Sequence, residues 1–581
     1  MSCFNSAQQQ FYRWRSSLVV LNSLQIKKLA NSKKLHLWLL LGWILIGAVL
    51  RFACLECKPP WTDEFSTLVF SLGNSFRGVP LDQVIATEDL LQPLQPDPSA
   101  TLADVFTHLM QESTHPPAYF WLAHLWMKLF PPDANGLVNL WGARALPALL
   151  GVLSIPATFG LSWLAFRSRL AGQLAAATIA LSPYGIFLAQ EARHYTLAIL
   201  LVIASLACLT TTVQRLEQRS SLPLWLCALW IIVNGVGIAV HYFFVLALMA
   251  QGISLVIYWG LRHRSGELLR VTRSSWWRLG GVIVGTAIAC LAWFPEVSQN
   301  QGSKLTEWIL LDRDSLLSWL NPIFQSLAAW ITMVSLLPVE APQLLVIIAS
   351  GLVMLIFFVW VTPKVVWGLN QQMAQPSGRL AVYLLGGFVV GAIALFFVIT
   401  YLLGKDLTRG ARYHFVYFPA MMVLLGGSLA AIWQSRRRVV YVVLLMGLLS
   451  CVTVVSNLGY RKYYQPDQFV QWVQSQSKFP VLIATAHRTH VQTGEMMGIG
   501  REWLRQPQSS PSPQFLLAHW DWQPETAVDS LERILGQQAR PFDLWAVNFE
   551  SPVDPSVQGC EATDQPSGAI YGYKYSHYIC R

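Results

Sequence analysis

Long apolar runs separated by short loops rich in arginine constrain this chain more than any other feature. A run of roughly 20 apolar residues can cross a bilayer as a helix. Such runs recur at 37–55, 140–163, 171–188, 195–213, 223–240, 242–260, 279–295, 343–362, 380–402, 414–433 and 439–457. That makes about eleven spans by length alone. Of 581 residues, 54% are hydrophobic and only 12% charged, about half the charge of a soluble globular chain. A soluble enzyme, a disordered protein and a coiled coil are excluded. The net charge of +10 does not point to nucleic acid, because the basic residues sit in loops between spans, where they orient a membrane protein. Nine cysteines are scattered without paired clusters and make neither a disulfide scaffold nor a zinc site.

The basic loops test the count. Residues 1–35 carry Arg13, Arg15, Lys27, Lys28, Lys33 and Lys34, and no acid occurs before Glu56. This tail is placed in the cytoplasm, followed by an uncleaved first span. Arg167 and Arg169, Arg215 and Arg219, the run from Arg262 to Arg278 with Arg270 and Arg273, Lys364 and Arg379, and Arg436 to Arg438 then all fall on the same side. Tyr119–Phe130 is too short to span, and Ser315–Pro338 is interrupted by Asn321-Pro322. Both are expected as helices along the outer membrane face. The predicted fold is an α-helical polytopic membrane protein with outer-face helices and a small C-terminal α/β domain. Its parts are a cytoplasmic tail at 1–35, a transmembrane domain at 36–457 with a first outer loop at 56–140, and an extracytoplasmic domain at 458–581. In that last part, strand-like runs (Val481–Ala486, Phe515–His519, Asp543–Phe549, Ala569–Tyr578) alternate with helical ones (Asp467–Ser475, Glu525–Leu535), and Gln506–Pro513 reads as a surface loop. Cys560 and Cys580 lie where disulfides are permitted, and their pairing stays open.

The outer loops carry the chemistry. The first opens with Pro59-Pro60-Trp61-Thr62-Asp63-Glu64 and closes with Glu112-Ser113-Thr114-His115-Pro116-Pro117. Paired prolines hold neighbouring side chains in place, and an acid at a membrane rim is partly desolvated, which suits it to accept a proton. Asp63 is the candidate base, with Glu64 and Glu112 beside it; ordinary solvated loop acids are the alternative. A small loop carries Glu191, Arg193 and Tyr195, readable as an interfacial anchor or as a phosphate-binding arginine, whose planar fork matches phosphate oxygens. His241-Tyr242 reads as an interfacial anchor. Lys405, Arg409 and Arg412, followed by Tyr413, form a basic cluster on the side opposite to the orienting loops. Such a violation implies an anionic partner, either a specific phosphate or anionic lipid in general. Carboxylates in one loop and arginines in two others can move a group off a membrane-bound phosphate: the acid deprotonates a hydroxyl and the cations stabilise the leaving phosphate.

Thr62-Asp63-Glu64, then Glu112 to Tyr119 with His115-Pro116-Pro117, then Glu191-Ala192-Arg193-His194-Tyr195, and finally Arg412-Tyr413 to Pro419 resemble, in order and spacing, the protein O-mannosyltransferase and lipid A aminoarabinose transferase group of glycosyltransferase superfamily C. The resemblance covers about residues 36–457. It implies a donor sugar on a polyprenyl phosphate, transfer to a lipid, glycan or protein acceptor on the outer face, and inversion at the sugar. It also implies Asp63 as the catalytic carboxylate with Glu64 beside it, His115 in the His-Pro-Pro element, and Arg193 and Arg412 at the carrier phosphate; the residues' own pattern adds Glu112 to the catalytic set and Tyr195, Lys405, Arg409 and Tyr413 around the substrate. The arginines are expected to grip the phosphate while Asp63 approaches the sugar from the opposite side. The tail does not resemble the MIR domain of eukaryotic members, and the Trp-Trp-Asp acceptor motif of oligosaccharyltransferases is absent, Trp276-Trp277 lying in a cytoplasmic loop. No Walker loop or dinucleotide fingerprint stands in a strand–helix context. No cofactor is called for; a divalent metal is left open without being indicated. A bacterial plasma (inner) membrane fits, with membrane lipids as the surroundings. The rival reading is a transporter or flippase of a lipid-linked or anionic substrate, which would carry polar groups near mid-span; here they gather at the outer rim.

Overall fold

The computed structural model describes residues 33–264, 272–299, 302–506, 512–521, 524–549 and 558–581. Residues 1–32 of the basic tail, Arg270, and residues 507–511 of the Pro/Ser-rich stretch lie outside the described residues.

Every apolar run forms helix, but the count of eleven spans is not reached. Among the described residues, eight helices are long and apolar enough to cross a membrane: Lys33–Phe52, Leu140–Phe166, Tyr195–Glu217, Phe244–Arg264, Leu344–Met373, Pro376–Leu403, Phe418–Ser435 and Arg437–Val455. A ninth is the broken pair Arg169–Ala180 and Pro183–Ala189, bent by 59°. The runs at 223–240 and 279–295 become the helices Leu224–Val240 and Arg273–Leu291, which fall short of that standard.

The break within the run at 171–188 has an identifiable cause. In an unbroken helix the Ile179 carbonyl would accept from the N–H of residue 183. Proline has no N–H to give. Arg51, buried at the C-terminal end of the first span, donates instead to Ile179 O (2.9 Å) and Ala180 O (3.2 Å). Ser182 then starts the second half by accepting from the Gly185 N–H. A charged side chain deep among helices thus satisfies the carbonyls that Pro183 leaves open.

The two short outer stretches are helices, Ala118–Met127 and Leu316–Val334. In the latter Pro322, Ser326, Ala329 and Met333 line a buried stripe at helical spacing, while Leu316, Leu317, Phe324 and Leu327 face outward.

The tail contributes five strands of a six-stranded sheet in the order β1-β3-β2-β4-β6-β5, with β1 Val84–Ile85, β2 Val481–His487, β3 Gln514–His519, β4 Phe542–Val547, β5 Cys560–Ile570 and β6 Tyr573–Cys580. Strands β3, β2 and β4 are parallel, and the outer ones are antiparallel. Side chains alternate as a pleated strand requires. Ile483, Phe515, Leu517 and Trp545 face one core; Leu482, Leu516 and Leu544 face another, covered by the helix Pro524–Leu535. The expected run Ala569–Tyr578 is in fact a hairpin, turning at Tyr571 and Gly572, both with positive φ.

Strand β1 belongs to the first outer loop. The core under that face also contains Phe65, Leu68 and Val69 of the loop. A boundary at residue 458 therefore divides one hydrophobic core: the loop at 56–140 and the tail are one packed unit. Cys560 pairs with Cys580, and Cys54 with Cys57. The second pair corrects the reading of the cysteines as unclustered.

Candidate active site

Trp61 precedes the helix Thr62–Leu72, which places Asp63 and Glu64 in its first turn, beside the positive end of the helix dipole. Consecutive helical residues point about 100° apart, and the two carboxylates meet different surroundings.

Glu64 points inward and is fully buried. Arg144 Nε and Nη2 both donate to it at 2.7 Å, and the Ala192 N–H donates at 2.8 Å. Arg144 Nη1 donates to Leu55 O and Lys58 O, fixing the turn before the Pro-Pro-Trp string. Glu64 thus does not reach the cavity described below: the structure places it in the packing that holds the helix, and not at a reaction centre.

Asp63 points into open space and keeps 28% of its side chain exposed. Arg412 Nη2 lies 3.2 Å and Arg193 Nη2 3.7 Å from Asp63 Oδ2. Burial alone would raise its pKa, but Arg412, Arg193 and Lys462 outweigh it and hold the carboxyl below its ordinary value. The expectation that the arginines and Asp63 approach the reaction from opposite sides is not met: all three converge on one point.

Both arginines are fixed by other means. Arg193 Nη1 donates to Asp63 O and Thr67 Oγ1, each at 2.8 Å. Its Nη2 lies 3.0 Å from His115 Nε2. Arginine has only donors, so Nε2 accepts, and the ring proton sits on Nδ1 facing Ser113 Oγ. Burial, with Arg193 and Arg412 nearby, keeps His115 neutral, well below its ordinary pKa. The Arg412 guanidinium lies 4.9 Å from the Trp61 ring, 5.0 Å from Trp308 and 5.3 Å from Tyr413. The Nε atoms of Arg193 and Arg412 are buried with no hydrogen-bond partner among the described residues. Behind Trp61, Lys462 forms an ion pair with Glu191 and covers the ring at 4.7 Å.

Asp63, His115, Arg193, Tyr195, Lys405, Arg412 and Tyr413 line a cavity of about 570 Å³ together with the apolar side chains of Leu246, Leu291, Trp293, Val297 and Ile399. Besides Glu64, two expected residues are not brought in. Arg409 donates to Trp308 O and pairs with Asp406. Glu112 accepts from Ser75 Oγ and the Phe76 N–H. Trp308, His241 and His490 line the cavity although no sequence pattern marked them for the site. Among the described residues, no group of three or more His, Cys, Asp or Glu side chains is arranged to hold a metal.

The fold is similar to that of ArnT from Cupriavidus metallidurans in its apo state, with a TM-score of 0.50, 13% identity, and 92% of this chain and 97% of that chain covered. ArnT bound to undecaprenyl phosphate gives 0.49 at 13% identity, covering 94% and 97%. The apo oligosaccharyltransferase of Archaeoglobus fulgidus gives 0.45 at 12%, covering 89% and 70%. No protein-family model and no curated protein matches the sequence. The chain has the ArnT fold, as an integral multi-pass membrane protein.

Proposed function

We propose that this chain is a membrane glycosyltransferase that moves a sugar from a polyprenyl-phosphate carrier to an acceptor hydroxyl on the extracytoplasmic face. One observation carries the reading: a single cavity joins a carboxylate and two fixed guanidinium groups to apolar side chains. A lipid phosphate has those two parts, an anionic head and an isoprenoid chain. The ArnT fold and the motif resemblance support the same class.

In the transfer, the acceptor oxygen attacks the anomeric carbon as the bond from that carbon to the phosphate oxygen breaks. The electron pair leaves with the phosphate, and the hydroxyl proton passes to Asp63. The leaving phosphate is a weak base, so no general acid is required. Arg193 and Arg412 have donors to spare and stabilise the phosphate as its charge develops. Those same donors hold Asp63 anionic. A phosphate that draws them away raises the basicity of Asp63 when an acceptor is to be deprotonated. A single displacement with inversion fits this set, because one carboxylate serves as base and none remains for a covalent sugar intermediate. The N-terminus is cytoplasmic and the tail extracytoplasmic, in a bacterial inner membrane.

Purified protein titrated with undecaprenyl phosphate should bind it saturably, while the uncharged polyprenol should bind far more weakly. Equal binding of the two would overturn the phosphate site. For topology, Ala539→Cys, at an exposed position before β4, should react with an impermeant thiol reagent in intact cells; labelling only after lysis would reverse the orientation.

A further inference from the structure

The tail does more than pack against the first loop: it supplies a wall of the cavity. His490 and Val491 line it opposite the turn that carries Thr62, Asp63 and Ser66. His490 is the first residue of the helix His490–Arg505. Three independent devices set its position. Thr489 caps the helix and Gln492 reaches back to the Thr489 N–H (2.9 Å), a reciprocal capping box. One turn on, the helix packs against Thr62–Leu72 at Gly494, where an added Cβ would meet Thr62 Cα at 3.5 Å and Phe65 Cβ at 3.6 Å, ordinary contact distances. The imidazole itself stacks on Phe76, with centroids 4.9 Å apart and planes at 21°, and meets the edge of Phe70 at 5.9 Å.

So a half-buried ring is held rigidly at the cavity, within electrostatic reach of Asp63. Among the described residues no protein group hydrogen-bonds its nitrogens. Burial, with His487 nearby, pushes its pKa down to about 4. At neutral pH it carries one N–H donor and one acceptor nitrogen, which suits a hydroxyl group. Nothing in the local packing requires a polar ring in this place; Phe70 and Phe76 would receive a phenyl as well.

We propose that His490 is a substrate-contacting residue on the acceptor side, hydrogen-bonding the acceptor hydroxyl or its neighbour so that the oxygen lies between the tail and Asp63. The active site then spans both parts of the chain, with the donor phosphate gripped by loop arginines and the acceptor by the tail. The inference rests on the transferase reading above and assigns no covalent step to His490; the proton still passes to Asp63.

The test uses full-length protein in membranes of the expressing cells, which contain the acceptor whatever its identity. The readout is release of radiolabelled sugar from the polyprenyl-phosphate pool, beside undecaprenyl phosphate affinity of the purified protein. His490→Phe keeps the stack and removes the hydrogen bonds. It should lower release on the order of 10- to 100-fold with unchanged phosphate affinity. His490→Gln, which restores a donor and an acceptor, should recover part of the loss. Wild-type release in His490→Phe would show that the ring only packs and overturn the proposal. Equal loss in the Phe and Gln variants would do the same. A wild type that binds no undecaprenyl phosphate would overturn the transferase reading and this inference with it.

Discussion

Two neighbouring carboxylates on one helical turn divide the outer half of this molecule into a working face and a packing face. Asp63 turns toward the cavity, where two arginines from distant loops share it and more than a quarter of its side chain stays open. Glu64 turns into the core, where a single arginine takes both oxygens and a backbone N–H takes one again. Both acids have arginine partners, so pairing alone says nothing about role. What separates them is spare capacity. Glu64 and Arg144 use each other up, whereas Asp63 keeps room for a hydroxyl and its arginines keep buried N–H groups without partners.

The sharpest way to break this comparison is to neutralise each acid in turn. Asp63→Asn keeps the shape and removes the basicity. Turnover should fall by roughly two orders of magnitude or more, with folded yield and undecaprenyl phosphate binding retained. Glu64→Gln should do the reverse, because it leaves Arg144 buried without its counter-charge. A stability loss of about 3–5 kcal/mol is expected, read as a lower melting temperature in detergent, with turnover per folded molecule nearly intact. If Glu64→Gln instead gave a stable protein with a hundredfold lower turnover, the division between the faces would be wrong.

Next in size is the arginine shared between Asp63 and the carrier. Losing a charge-assisted hydrogen bond costs about 1.5–3 kcal/mol, so Arg412→Ala should weaken undecaprenyl phosphate binding roughly 10- to 100-fold. Lysine there should rescue only in part, since it offers a point charge in place of a fork and a poorer face to Trp61 and Trp308. The same variant sharpens the electrostatic argument. Burial raises the pKa of Asp63, and Arg412 is the first of the charges that more than offset it. As a base Asp63 must be ionised, so in wild type the acid limb of the kcat/KM profile, which reports the free enzyme, should lie below the ordinary Asp range near pH 3.9. Its contribution to stability has the same sign: present above the unfolded pKa and lost as pH falls through the folded one. Arg412→Ala should move the acid limb to higher pH. A shift to lower pH would contradict the pairing.

Much of this architecture is legible in the chain because its causes are local or periodic. The apolar runs, the loop arginines and the short strand-like stretches of β2, β3 and β4 each write themselves as a pattern. Other features have no local signature. The strand Val84–Ile85 is two residues long and exists only because β3 pairs with it, so the union of loop and tail is invisible until the chain folds. The broken helix had its signal in Pro183, but its remedy comes from Arg51, far away in sequence. The two acids could be told apart only once Thr62 was known to begin a helix. His490 sits in a polar stretch, and only the packing of its helix against Thr62–Leu72 gives it meaning.

The smallest expected effect concerns Glu112, which lies outside the cavity yet touches what positions it. Its carboxylate accepts from Ser75 Oγ at 2.6 Å and from the Phe76 N–H at 3.1 Å, and Phe76 is the ring on which His490 stacks. Glutamine can keep this arrangement: its carbonyl oxygen takes the Phe76 N–H, and its amide donates to Ser75 Oγ, which then accepts. Glu112→Gln should therefore cost about 1 kcal/mol or less and change turnover only slightly. Glu112→Ala removes both contacts and frees Phe76 to shift, so turnover should fall several-fold while undecaprenyl phosphate affinity stays put. Because that loss travels through His490, it should shrink or vanish in a His490→Ala background, the non-additivity expected of residues in one contact chain. An undiminished loss in the double variant would mean that Glu112 reaches the reaction by some route other than Phe76 and the His490 ring.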